Sequence, residues 1–310
     1  MTTEAMSHGG ASASLNPFSR LMSGTAGPVI VVVAVIFAAW YVAAVLLNTP
    51  FQRDTYERAG QENVSIARLI TDTLAQERPV MPAPHQVAVE IWKTTAEKKV
   101  TSKRSLVYHS GITLSSTLLG FLIGTTLGIG LAVLIVHSRV LDKSLMPWII
   151  SSQTIPILAI APMIIVVLNA IGITGTLPKA MISTYLSFFP VTVGMVKGLR
   201  SPEIIQLDLM KTYSASQGQT LLKLRLPSAA PFLFASMKVA VAASLVGAIV
   251  GELPTGAVAG LGARLLAGSY YGQTIQIWSA LIVAAVIAAS LVTIVGVSER
   301  IVLKRMGMAQ

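Results

Sequence analysis

The sequence predicts an all-α membrane protein with six transmembrane helices, and three observations carry that prediction. Of its 310 residues, 53% are hydrophobic and only 12% are charged, about half the charged share of an ordinary soluble domain. Apolar runs of roughly 20 residues, the length that spans a hydrocarbon core, recur along the chain between shorter polar stretches. The Lys and Arg residues collect in alternate loops, as they do when one face of a membrane retains them.

Residues 1–26, rich in Ser, Thr, Gly and Ala, read as a disordered cytosolic tail. The first apolar run, Gly27 to Asn48, is longer than a signal-peptide core and has no small-x-small cleavage pattern behind it, so it reads as a retained helix. Residues 49–104 form a polar external loop with prolines at RPVMPAPHQ and an amphipathic helix in HQVAVEIWKTTAEKK. The core, 105–305, holds five further spans, near Ser110 to Val136, Leu145 to Leu168, Pro178 to Val196, Phe232 to Gly251 and Gln276 to Val297. Six spans put both termini on one side. The loops after spans two and four and the C-terminal tail carry ten Lys and Arg against Arg264 alone opposite, which places both termini in the cytosol. Basic loops thus account for the net charge of +10, and no nucleic acid is required.

Several chemistries are excluded. The chain has no cysteine, and His8, His85, His109 and His137 lie far apart, so no metal site is expected. No GxxxxGK[ST], GxSxG or GxGxxG motif occurs, and no carboxylate pair shares an intramembrane face, so neither an enzyme nor a filtered channel is favoured. Within the spans, Gly120, Gly124 and Gly128 form a stripe for close helix packing. The candidates to line a solute path are Gln153 and Thr154, beside Pro156 and Pro162, together with Asn169, Tyr185 in a run with Ser183, Thr184 and Ser187, and Glu252. An ordinary proline kink is the other reading of the first pair. Glu252 is expected to face a wet cavity or to pair with Arg264, ahead of a tight turn led by Pro254.

The cytosolic loop 201–227 is the most informative segment. Ser201 has the chemistry to cap a helix that starts at Pro202, Ser216 and Gln219 have capping-box spacing for a second, and Pro227 is expected to end it. An acidic residue at Asp208, a break six residues on at Ser214, and Leu226-Pro227 thirteen residues later resemble the "EAA" loop of binding-protein-dependent ABC importer permeases. The likeness extends over about residues 80–305, through TLSSTLLGFLIGTTLGI, SFFPVTVGMVKGLRS and GLGARL, and is closest to the subgroup that imports nitrate, sulfonates, taurine and pyrimidine-type thiamine precursors.

The resemblance implies the type I ABC importer permease fold in a bacterial inner membrane and a solute of organic-anion or pyrimidine-like type. It implies three partners: an ABC ATPase that binds the ATP and Mg, an external solute-binding protein, periplasmic or lipid-anchored, and a second permease copy. No cofactor of the chain's own is implied. It also implies ATPase contact through Asp208, Leu209, Met210, Lys211, Tyr213, Ser214 and Gly218. Two departures stand out. Leu209-Met210 replaces the family's Ala pair and Ser214 its Gly, with Gly218 expected to supply the lost flexibility. An integral membrane channel or a membrane-embedded enzyme is the alternative.

Overall fold

The computed structural model describes residues 26–61, 63–254 and 259–308. Apart from Ala26, the expected disordered tail lies outside these residues, as does the middle of the turn expected after Pro254. Among the described residues there are helices and no strands. They fall into two compact units, Met1–Gln86 and Val87–Gln310, a boundary some eighteen residues earlier than the one expected between residues 104 and 105.

In the first unit, α1 (Ala26–Arg58) is longer than the predicted span and runs through Pro50. Its apolar side chains, from Val29 to Phe51, are mostly exposed, as lipid-facing residues are. The polar end folds back on α2 (Ile66–Leu74), where the Tyr56 hydroxyl donates to Asp72 at 2.6 Å. Asn48 holds both backbone groups of Met81, donating to its carbonyl at 2.7 Å and accepting from its N–H at 3.0 Å. The predicted amphipathic segment is helical as α3 (Pro84–Trp92), followed by a π-turn at Lys93–Glu97.

The second unit is built on α4 (Leu106–His137), α7 (Thr176–Leu199) and α10 (Leu226–Glu252). The glycine stripe on α4 packs against α7 of the same chain: a Cβ on Gly120 would strike Ser183 and the Ala180 carbonyl, and one on Gly128 would lie 2.8 Å from Val191. Close backbone approach lets hydroxyls bridge helices. Ser183 donates to the Ser244 carbonyl and Ser244 to the Thr117 carbonyl, each at 2.8 Å, while Thr184 reaches the Gly120 carbonyl at 3.2 Å. Ser183, Thr184 and Ser187 of the fourth predicted span's polar run therefore lie in the seam of a three-helix core. The last long helix, α12 (Thr274–Arg305), packs Leu291 and Val295 against Val241 of α10.

The third predicted span is not one kinked helix. α5 (Arg139–Ser152) and α6 (Ile157–Ala170) meet at 101° across residues 153–156. Pro156 lacks an N–H and disfavours a helical residue before it, so the chain breaks there rather than bends. By length and composition, five helices among the described residues are long enough to cross a membrane, or six if this pair forms one span.

Candidate functional site

The loop between α7 and α10 is built from two short helices, α8 (Ile204–Thr212) and α9 (Gln217–Thr220). The start differs from expectation. Ser201 closes α7 by donating to the Gly198 carbonyl at 2.7 Å, Pro202 is buried, and Glu203 is the N-cap, its N–H donating to Gln206 at 3.0 Å. The Ser216 and Gln219 box forms as predicted, with bonds of 3.2 and 2.9 Å. Pro227 ends nothing. α9 runs through a π-turn at Leu221–Arg225 into α10, so Gln217–Glu252 is one helix of 36 residues. A π-turn shifts the backbone bonding register by one residue, which accommodates the donor that Pro227 lacks.

Between α8 and α9 the chain turns on Ser214, the one non-glycine residue with positive φ among those described, at φ 50. The N–H of Ala215 donates to the Met210 carbonyl at 3.0 Å and that of Ser214 to Lys211 at 2.8 Å, the paired bonds of a Schellman cap. Here the backbone needs a left-handed residue, and Ser214 adopts that conformation itself. Gly218 does not take over, for it sits within α9 with ordinary φ and open space around it.

α8 buries none of its residues. Ile204, Ile205, Leu209 and Tyr213 are exposed, the first by 78% and the last by 76%. Asp208 pairs with Lys211 at 2.9 Å along the helix, while Met210 is half-buried. The loop is anchored from behind, where Arg225 donates to the Leu199 carbonyl at 3.2 Å and Arg200 pairs with Asp142 at 2.8 Å. Between it and the end of α4 lies a cleft of about 490 Å³ lined by His137, Leu207, Lys211 and Gln217, among others.

The candidate path residues divide into two groups. Gln153 and Thr154 sit at the α5–α6 break, where Thr154 donates to the Ser151 carbonyl at 2.7 Å and the Tyr185 hydroxyl to that of Ser152. These bonds satisfy carbonyls that the break leaves free. Asn169 is exposed near the far end of α6.

Glu252 belongs elsewhere. It is 0% exposed and does not pair with Arg264: Thr113 Oγ1 lies 2.9 and 3.0 Å from its two oxygens and the Gly262 N–H donates at 2.8 Å. Thr113 also accepts from the Leu261 N–H at 2.8 Å. His109 accepts from the Gly260 N–H on Nδ1 and donates from Nε2 to the Lys103 carbonyl, both at 2.9 Å, which fixes a neutral tautomer. The head of α11 (Leu261–Tyr270) is thus latched to α4 and α10. Gly260, at φ 127, and Gly262 leave room for the carboxylate that a side chain would fill.

Thr113 was not readable as a partner of Glu252, nor His109 of Gly260, since about 140 residues or more separate each pair. Lys238 was readable and missed. A lone Lys inside a predicted span demands a partner, and Glu299 on α12 supplies it.

The family model of the binding-protein-dependent transport system inner membrane component matches residues 124–308. The chain is 32% identical over 204 residues to a probable ABC transporter permease protein of Haemophilus influenzae, covering 66% of this chain and 78% of that one. It is 30% identical over 225 residues to the riboflavin transport system permease protein RibX of Chloroflexus aurantiacus, covering 73% and 80%. To the formylaminopyrimidine transport permease protein ThiX of Halalkalibacterium halodurans it is 29% identical over 184 residues, covering 59% and 68%.

Proposed function

The chain belongs to the family of binding-protein-dependent transport system inner membrane components, and we propose that two permease subunits of this kind enclose a solute path between them. It is the permease subunit of an ABC importer in the bacterial inner membrane, and not an enzyme: ATP is hydrolysed by a separate ATPase subunit. ATP and Mg2+ belong to that subunit in this proposal, and the chain carries no cofactor of its own.

Coupling is assigned to the segment 201–227, and the observation that carries it is the exposure of Ile204, Ile205 and Leu209 on α8 and of Tyr213 at its end while the loop's base is tied down. A rigid mount with uncovered Ile204, Ile205, Leu209 and Tyr213 is the arrangement a soluble partner's cleft requires. Asp208, Lys211, Ser214 and Gly218 are exposed as well. The proposed topology has α5–α6 as one broken span among six, both termini cytosolic and residues 49–104 outside; the ten-to-one division of Lys and Arg supports it. Gln153, Thr154, Tyr185 and Asn169 are proposed to line the path. Glu252, sealed in its latch, is proposed to fix the outer end of α10 instead. The solute is proposed to be a small heterocycle or organic anion; relatives named for riboflavin and formylaminopyrimidine transport favour the heterocycle.

The test is retention of the ATPase on the tagged permease together with solute-stimulated ATP hydrolysis in proteoliposomes. Asp208→Lys breaks a surface pair and should change permease stability by less than about 0.5 kcal/mol, yet weaken ATPase retention or uncouple hydrolysis. Normal binding and transport by both Asp208→Lys and a deletion of residues 208–219 would remove this reading.

A further inference from the structure

A second polar cleft, of about 410 Å³, lies between the π-turn at 93–97, the approach to α4, and helices α11 and α12. Four cations line it, Lys93, Lys98, Arg104 and Arg264, against two acids, Glu90 and Glu97. Gln273 and Gln276 add two side-chain amides, which hydrogen-bond readily to anionic oxygens.

Arg264 is the unusual member. Two residues along α11 from Gly262, it lines this cleft instead of bonding to Glu252, and its Nε is buried without a hydrogen-bond partner. An orphaned buried donor on a charged group is costly and rare in a finished structure. Burial pushes the Arg264 guanidinium down from its ordinary value, and Glu90 only partly restores it. A guanidinium presents its donors as a planar fork that matches carboxylate, sulfonate and phosphate oxygens.

The surroundings give the depth. Trp92 precedes Lys93, and Tyr270 and Tyr271 precede Gln273; all three aromatics are mostly exposed. Exposed Trp and Tyr beside the ends of apolar helices mark the membrane–water boundary, where lipid headgroups lie.

We propose that this cleft is an oxyanion-binding site at the membrane–water boundary, with Arg264 as its principal contact and a phosphate-, sulfonate- or carboxylate-bearing ligand as its occupant. Such an oxyanion comes either from an anionic lipid headgroup or from a free ion in solution. The proposal stands apart from the coupling reading and does not depend on which face is cytosolic.

The experiment uses the full-length chain purified in detergent. Native mass spectrometry reads retention of added phosphatidylglycerol against phosphatidylcholine, and calorimetry reads binding of inorganic phosphate and sulfate. Wild-type protein should retain phosphatidylglycerol selectively or bind the free ions saturably, and Arg264→Gln should weaken that binding about tenfold. A second variant, Lys98→Gln with Arg104→Gln, changes only exposed rim residues and guards against misfolding at Arg264; it should weaken binding about threefold. Loss confined to phosphatidylglycerol supports a lipid headgroup, and loss confined to phosphate and sulfate supports a free oxyanion. No selective binding by the wild type, or binding unchanged in both variants, overturns the proposal.

Discussion

The two ends of α10 are held in opposite ways. At one end Glu252, Thr113 and His109 are buried and bonded to backbone N–H groups of residues 260–262. At the other, α8 buries nothing, exposes Ile204, Ile205 and Leu209 and turns on a strained Ser214. The difference lies in where unsatisfied surface is left. The buried carboxylate, hydroxyl and imidazole at the Glu252 end all find partners inside the chain, as buried polar groups usually do. The α8 end leaves Ile204, Ile205, Leu209 and Tyr213 uncovered by the chain.

The contrast breaks most sharply at Gly260. Gly260→Val forces a β-branched residue to φ 127 and drives its side chain into the Glu252 carboxylate, so a loss of about 4 kcal/mol or more, or failure to accumulate, is expected in thermal unfolding in detergent. Glu252→Gln is milder. It turns an NH2 towards groups that are themselves donors, and should cost about 2 kcal/mol in the same assay. A variant as stable as wild type but defective in transport would return Glu252 to the solute path.

Tyr185→Phe asks to which end the α5–α6 break belongs. Losing the bond to the Ser152 carbonyl should cost about 1 kcal/mol if the break is rigid like the latch; no loss, with altered transport, would align it with the adaptable end. The smallest effect is expected from Ser214→Gly, which relieves a left-handed serine and should stabilise the loop by up to about 1 kcal/mol without weakening ATPase retention.

Local signals were legible and long-range ones were not. The glycine stripe announced close packing because its period is a property of one helix, and the Ser216 box because its partners lie three residues apart. What the stripe packs against depended on α7, about 60 residues away, and no local pattern names it. Pro227 misled because proline rules assume an α-helical register, whereas the π-turn before it changes the register. Around Pro156 the sequence left a broken helix and an ordinary kink both open, and the chain breaks there. The Glu252–Arg264 pair seemed natural from charge alone, but the Gly262 N–H, invisible in a composition, and the Thr113 hydroxyl satisfied the carboxylate instead. In the loop, the acidic position and the turn at Ser214 were placed by resemblance. The exposed apolar face of α8 emerged only with coordinates.

The unbroken run from Gln217 to Glu252 has a mechanical consequence. Thirty-six residues at helical rise make a lever about 50 Å long, with its handle beside α8 and its tip pinned by the carboxylate. Tilting such a lever by about 5° displaces its far end by about 5 Å, close to one turn of helix. The π-turn sits near the handle, where a wider coil gives the rod its one irregular segment. Because Thr113 and the Gly262 N–H tie the tip to α4 and α11, a tilt of the rod carries the latched helices with it rather than moving the tip alone.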